Sequence, residues 1–253
     1  MSTIDTIRAF PGDVGYYMRR LDGSQAAEHN PDLPLLAASV IKIPIMVAAF
    51  LEIRAGRLDP DQEVAVPPEE KKPSCGALNY LHDGLRVTVM DLITLMIILS
   101  DNTATNLMID RLGIDHVNGA MEALGIPGIC LRRRLFDPEA AARGLENTVT
   151  ARGIGQILER LCAGTLLGGE YDARMLKILG DQRLNGKLPF FLHSRGIRCA
   201  HKTGEDDGIT HDVGVVYAKR PFVICMLSNN VDVPAFERLI QDTAAALAFG
   251  GEA

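Results

Sequence analysis

The sequence predicts an α+β fold, because strand-like segments lie near both ends of the chain and helical segments fill its middle. Residues 14–20 and 25–29 resemble a hairpin. The 253 residues are 47% hydrophobic and 23% charged, which suits one large domain or two interleaved ones with a sizeable core. The strand-like segments near the other end are residues 198–202, 212–217 and 222–227.

The helical segments are predicted from apolar spacing and from residues that begin or end helices. A short helix over residues 2–10 would end at Pro11-Gly12. Residues 59–72 are rich in proline and charge, and residues 132–147 carry many charges with little periodicity, so both are predicted to be loops. The remaining helices are expected from residue 39 onward and over residues 88–99, 103–112, 116–124, 150–163, 172–184 and 234–249.

Charge and composition argue against several classes of function. The net charge of −6 gives no support for nucleic-acid binding, and no stretch is long and apolar enough to span a bilayer. The first eight residues lack the features of a secretory signal, so we expect a cytoplasmic protein. The five cysteines are odd in number and widely spaced, which indicates neither a zinc site nor a disulfide framework. The oligomeric state is left open.

A serine and a lysine three residues apart mark the first candidate site. Ser39 and Lys42 stand in an otherwise apolar segment, and in a helix beginning at Ser39 they would share one face. Serine is a good helix cap and Pro44 is tolerated near a helix start. Burial would favour the neutral amine of Lys42, which can take a proton from a hydroxyl. Taken alone, however, the pattern is better explained by a cap beside a lysine that reaches toward solvent.

Three further polar clusters each have a simple structural explanation. Ser100-Asp101-Asn102 follows a buried segment and suits a helix cap. His201-Lys202-Thr203-Gly204 lies at a strand end before a turn. Asp137-Pro138-Glu139 lies in a charged loop, where carboxylates are usually solvated.

The order of three motifs changes this interpretation. Ser-x-x-Lys, Ser-Asp-Asn and Lys-Thr-Gly occur once each at Ser39, Ser100 and Lys202, a set typical of serine β-lactamases and penicillin-binding proteins. Residues 100–107 and 211–217 also match the family, and the chain resembles class A β-lactamases over nearly its whole length. The resemblance implies a β-lactamase-like fold, with an antiparallel sheet flanked by terminal helices and an all-helical domain.

This fold predicts how the chain is divided. Residues 1–38 and 185–253 would form the sheet part, and residues 39–184 the mainly helical part. The two would form one compact unit with the active site between them. No metal and no organic cofactor is implied, and the expected partner is a small-molecule acyl substrate.

The resemblance also implies how protons move. Ser39 would be the acylated nucleophile, and Lys42 would help to remove its proton. Ser100, held in place by Lys42 and Lys202, would pass a proton to the leaving nitrogen.

Other residues are implied to bind the substrate, together with Lys202. Asn102 would orient Lys42 and a substrate amide, and Thr203 would contact the acidic end of the substrate. The backbone N–H groups of Ser39 and Glu205 would form the oxyanion hole.

The loop that should carry the deacylating base departs from the family. Relatives have a glutamate there, with an asparagine four residues later. Matching the Asp-Pro-Glu run to the family's Glu-Pro-Glu makes Asp137 the base, whereas sliding the loop makes Glu139 the base. Four residues on lie Ala141 and Arg143, and neither is an amide. We prefer Glu139 as the catalytic base and keep Asp137 open.

The residues expected near the acidic end of the substrate also depart from the family pattern. Many relatives have an arginine where this chain has Thr210, and Glu205, Asp206 and Asp207 are close in sequence. We expect this acidic mouth to make common β-lactams poor substrates and to favour neutral or cationic esters and amides.

Three functions follow from these observations. The first is a serine hydrolase of β-lactamase type that opens a cyclic amide through an acyl-Ser39 intermediate. The second is a related peptidase, esterase or transacylase with another acyl substrate. The third is a penicillin-binding module that is acylated and deacylates slowly.

Overall fold

The fold is built around an antiparallel sheet whose strands come from both ends of the chain. The structure is a computed structural model, and it describes residues 3–250. The strands of these residues are β1 (Asp13–Arg20), β2 (Ala26–His29), β3 (Leu35–Leu36), β4 (Glu63–Ala65), β5 (Arg86–Thr88), β6 (Thr148–Val149), β7 (Cys199–Asp206), β8 (Ile209–Val216) and β9 (Phe222–Asn229).

Five of these strands form the main sheet, in the order β2-β1-β9-β8-β7. Every neighbouring pair is antiparallel. Two small two-stranded sheets pair β3 with β6 and β4 with β5. The predicted α+β class and the hairpin near the N-terminus are therefore confirmed.

Helices fill the middle of the chain and close both of its ends. They are α1 (Thr3–Arg8), α2 (Lys42–Arg54), α3 (Val89–Ile98), α4 (Asn102–Leu112), α5 (Ile114–Ala123), α6 (Pro138–Ala142), α7 (Ala151–Ala163), α8 (Gly169–Gly180) and α9 (Val233–Phe249). Residue 2, where the first helix was predicted to begin, lies outside the described residues.

Both faces of the main sheet are covered, so its central strands β8 and β9 are buried at every residue. Consecutive side chains alternate between two cores: Tyr17 belongs to the larger core, and Tyr16 to a smaller core that includes Phe236 of α9. Helix α7 covers the opposite face. A Cβ at Gly155 would lie 2.3 Å from the ring of Tyr17, so glycine lets this helix approach the sheet closely.

The segment of Ser39 is buried as predicted, but Ser39 is not the helix cap. A 3₁₀ turn over Ala38–Ile41 leads into α2, with Ala37 at its N-cap position. Helix α2 begins at Lys42, and its residues are buried from Lys42 to Phe50. The serine side chain is therefore free for other contacts.

Three boundary predictions were wrong for local reasons. The predicted loop 59–72 contains β4, which pairs with β5. The loop 132–147 contains the short helix α6, capped by Asp137. Helix α8 begins before Asp172 because this buried carboxylate accepts the backbone N–H groups of Leu166 and Leu167, at 3.0 and 2.9 Å. It thus caps the preceding turn.

No helix within residues 3–250 is long and apolar enough to cross a bilayer. The five cysteines are all free thiols.

Candidate active site

A cavity of about 880 Å³ lies where the Ser39 turn, the start of α4, strand β7 and the loop around α6 meet. It is lined by Ser39, Ser100, Asn102, Thr203 and Glu205, which come from three distant motifs of the sequence. The structure thus brings together most of the residues that the motifs single out.

The amine of Lys42 lies below the cavity floor, completely buried. Its Nζ lies 2.9 Å from Ser39 Oγ and 2.9 Å from Asn102 Oδ1. The backbone oxygen of Ser100 lies 2.8 Å away and its hydroxyl oxygen 3.0 Å away. The amide nitrogen of Asn102 donates to the oxygen of Pro73 at 3.2 Å, which fixes the oxygen of this amide toward the lysine.

The hydroxyl of Ser100 bridges two amines. It lies 3.0 Å from Nζ of Lys202, the same distance as from Nζ of Lys42. Lys202 is also fully buried and donates to the oxygen of Thr203 at 2.8 Å. A continuous chain of polar contacts therefore runs from Ser39 through Lys42 and Ser100 to Lys202.

Burial changes the acidity of both amines. It lowers the pKa of Lys42 well below its usual range, and the nearby Lys202 cation lowers it further. Burial also lowers the pKa of Lys202 to about 7, although the carboxylate of Asp212 acts in the opposite direction. The lowered pKa favours the neutral amine of Lys42, which is the form that can accept a proton.

The turn that presents Ser100 is held by Asp101. Ser100 has a φ of +54°, in the left-handed region. One carboxylate oxygen of Asp101 accepts the N–H of Ala104 at 2.9 Å and so caps α4. The other accepts the N–H groups of Ala77 and Leu78, at 2.7 and 2.9 Å. The helix cap expected from the sequence is thus present, and it also anchors the cavity wall.

Gly204 lets strand β7 approach the Ser39 turn. A Cβ at this position would lie 2.9 Å from the ring of His211, 3.2 Å from Val40 and 3.3 Å from Ala38. His211 is itself fixed, because Nε2 donates to the oxygen of Leu36 at 2.9 Å and Nδ1 accepts the N–H of Ser228 at 3.0 Å. Burial lowers the pKa of His211 to about 4, so the ring is neutral in this contact.

Glu205 reaches a buried cation. Its carboxylate lies 3.0 Å from Nζ of Lys187, whose side chain is only 4% exposed. The predicted acidic mouth is therefore partly neutralised. The hydroxyl of Thr210 donates to Glu237 of α9 at 3.0 Å, and Thr210 does not line the cavity. The comparison of Thr210 with the substrate-binding arginine of relatives is not supported by this geometry.

The structure does not bring Glu139 to the cavity. Glu139 is exposed on α6 and is absent from the cavity lining, whereas Asp137 lines the cavity. Asp137 uses its carboxylate to accept the N–H of Ala140 at 2.9 Å. A third carboxylate, Glu146, also lines the cavity and pairs with Arg133 at 2.7 Å. The cavity carboxylates of this loop are therefore engaged elsewhere.

The comparisons with known proteins agree with this site. The sequence matches the family described as the beta-lactamase enzyme family over residues 2–249. The chain belongs to this family. It is similar to the structure of a β-lactamase from Sphaerobacter thermophilus DSM 20745, with 32% identity, a TM-score of 0.88, and coverage of 98% of this chain and 95% of that chain. The resemblance predicted from the three motifs is thus confirmed.

Two other proteins are similar to this member of the beta-lactamase family. The structure of PBP-A has 27% identity and a TM-score of 0.88, with coverage of 99% of this chain and 94% of that chain. The beta-lactamase regulatory protein BlaB of Streptomyces cacaoi is 25% identical, in an alignment that covers 81% of this chain and 80% of that protein.

Sequence reasoning missed several residues of this beta-lactamase-family site. Cys75 and Phe136 line the cavity, and the side chain of Asn106 is bonded to both backbone polar groups of Leu135. Asn106 stands within the segment quoted for the family resemblance, which was the available signal. No signal pointed to Cys75 or Phe136. Among residues 3–250, no group of three or more His, Cys, Asp and Glu side chains is placed to hold a metal ion.

Proposed function

We propose that this chain is an active-site serine acyl-transfer enzyme of β-lactamase type, in which Ser39 is acylated by a small amide or ester. The observation that carries the proposal is the contact chain from Ser39 through Lys42 and Ser100 to Lys202. Family membership supports the same reaction class.

Hydrogen-bond geometry supports Lys42 as the base. A neutral amine has two N–H groups and one lone pair. The oxygens of the Ser100 backbone and of the Asn102 amide can only accept, so they take the two N–H groups. The lone pair is then left for a hydroxyl: Ser39 Oγ lies at 2.9 Å, and Ser100 Oγ, the other hydroxyl of the contact chain, lies at 3.0 Å. Burial favours this uncharged form.

The reaction then proceeds through three proton transfers. Lys42 takes the proton of Ser39 as Oγ attacks the carbonyl carbon. The backbone N–H groups of Ser39 and Glu205 stabilise the developing oxyanion. When the carbon–nitrogen bond breaks, Ser100 gives its proton to the leaving nitrogen and regains one from Lys42. Lys202 stabilises the negative charge that develops on the Ser100 oxygen, and Thr203 binds the acidic end of the substrate.

Intact-mass analysis after incubation with benzylpenicillin tests this proposal. We expect one penicilloyl adduct that maps to Ser39 and is absent in Ser39→Ala. Ser74→Gly is a matched control, because Ser74 also lines the cavity and its φ of +74° suits glycine. An adduct that survives Ser39→Ala, or no adduct with any acyl donor, would refute the proposal.

A second candidate is a penicillin-binding module that keeps its acyl group. The observation in its favour is the engagement of the loop carboxylates: Asp137 caps α6 and Glu146 pairs with Arg133. A variant of PBP-A, 26% identical to this chain, has been solved as an acyl-enzyme complex with penicillin G. A time course of the adduct decides between the two. Loss within seconds indicates a hydrolase, and persistence over an hour indicates the binding module.

A further inference from the structure

Phe136 combines an exposed apolar ring with a strained backbone. Its side chain is 48% exposed, and its φ is +56°. A bulky residue with positive φ is an outlier, and such strain persists only where the surrounding structure imposes it. Strained residues also cluster at active sites and ligand clamps.

Anchors on both sides impose the strain. On one side, the side chain of buried Asn106 donates to the oxygen of Leu135 at 2.9 Å and accepts its N–H at 2.8 Å. On the other side, Asp137 caps α6 by accepting the N–H of Ala140. Phe136 lies between these two anchors, so its ring is held at the cavity rather than in a core.

The same segment forms an apolar wall. Leu135, Phe136, Pro138 and Ala141 all line the cavity that contains Ser39. Leu36, another large apolar residue with 38% exposure, lines it as well. Apolar surface open to water in a reactive cavity is surface that a ligand would cover.

We propose that Phe136 determines specificity, and that the site accepts acyl donors whose acyl group is aliphatic or aromatic and packs on this ring. The inference rests on the proposed function, because the acyl group must be attached to the carbonyl that Ser39 attacks. The strain keeps the ring in the cavity before the substrate arrives.

Thioesters with one leaving group, mercaptoacetate, and different acyl groups test the proposal. Acylation breaks the carbon–sulfur bond, forms the ester with Ser39 and releases the protonated thiol, which can be measured. We expect the phenylacetyl thioester to acylate Ser39 about tenfold faster, in kcat/KM, than the acetyl and succinyl thioesters.

Two variants separate specificity from structure. Phe136→Gly removes the ring and suits the positive φ, so we expect the phenylacetyl rate to fall about tenfold, the acetyl rate to stay unchanged and Tm not to fall. Phe136→Leu should lose only part of the preference. Phe190→Ala is the matched control, because Phe190 is 52% exposed and does not line the cavity.

Each remaining result would overturn the inference. Three results would refute it: equal rates for phenylacetyl and acetyl donors, an unchanged preference in Phe136→Gly, or an equal loss for all donors. None of them would contradict the proposed acylation of Ser39. If no thioester and no β-lactam acylates Ser39, the proposed function fails, and the inference fails with it.

Discussion

Nδ1 of His201 lies 2.9 Å from Oδ1 of Asp212, and both side chains are almost completely buried. The other ring nitrogen lies 3.0 Å from Oδ1 of Asn185, whose amide nitrogen donates to the oxygen of Gln182. Both ring nitrogens thus face oxygen acceptors, and Asp212 also accepts the N–H of Leu188 at 2.9 Å. His201 and Asp212 therefore form a buried hydrogen-bonded pair, with His201 directly before Lys202.

We expect the contributions of His201 and Asp212 to the free energy of unfolding to be strongly coupled. Asp212→Asn removes one of the acceptor oxygens that serve the ring of His201 and the N–H of Leu188, and should lower the free energy of unfolding by about 1–3 kcal/mol. Denaturant unfolding of Asp212→Asn, His201→Gln and the double variant measures the coupling. The double variant should lose at least about 1 kcal/mol less than the sum of the single variants. Additive losses would show that the two side chains do not interact.

The exposed position of Glu139 predicts that it does not activate water. We expect Glu139→Gln to release its acyl group at the rate of the unmodified protein, as followed by intact mass. Asp137→Asn is the informative comparison, because asparagine also caps helices and leaves the loop in place. A stalled acyl-enzyme in Glu139→Gln would restore the assignment made from the sequence. A stall in Asp137→Asn alone would assign the base to the capping carboxylate.

The close approach at Gly204 predicts a defect in acylation. Gly204→Ala would push a methyl group against the fixed ring of His211, 2.9 Å away, and separate β7 from the Ser39 turn. We expect the acylation rate to fall at least about tenfold, since small misplacements in an active site are costly. Gly186→Ala is the control, because its Cβ would meet nothing within 4 Å. Unchanged acylation in Gly204→Ala would contradict this role of the glycine.

The pKa of Lys202 predicts how stability depends on pH. Its folded pKa is about 7, against an ordinary value of 10.5, so between these values the unfolded chain binds more protons than the folded one. The free energy of unfolding should therefore rise with pH across this window, by up to about 1.4 kcal/mol per unit from this group. Urea unfolding at pH 7.5, 8.5 and 9.5 measures the slope. Lys202→Met should flatten it, and an equal slope in both proteins would count against a depressed pKa.

The central site could be predicted because three short motifs occur in an order typical of a known family, although each motif alone has a simpler explanation. Ser-x-x-Lys places a hydroxyl and an amine on one turn, and the apolar residues around Lys42 predict its burial. The presence of strands β7 to β9 followed from apolar runs between turns, but their bounds did not, because β7 continues to Asp206 and β8 already begins at Ile209. The burial of Lys42 and the presence of these strands depend on neighbours within a few residues, which a sequence displays directly.

The substrate end could not be predicted, because β8 is buried on both faces. A strand without polar alternation does not show which face each side chain takes, so nothing indicated that Thr210 faces Glu237 of α9. The partner of Glu205 was hidden for a related reason. Lys187 lies 18 positions earlier in a segment without periodicity, and only the folded chain brings the two together.

The polar chain at the cavity joins segments that are far apart in sequence. Lys42 and Ser100 are separated by 58 positions, and Ser100 and Lys202 by 102. No fragment shorter than the span from Ser39 to Lys202 contains all of its groups. Labelling of Ser39 by a reactive acyl donor would thus double as a sensor of complete folding, and could report in a cell extract which variants have reached the native state.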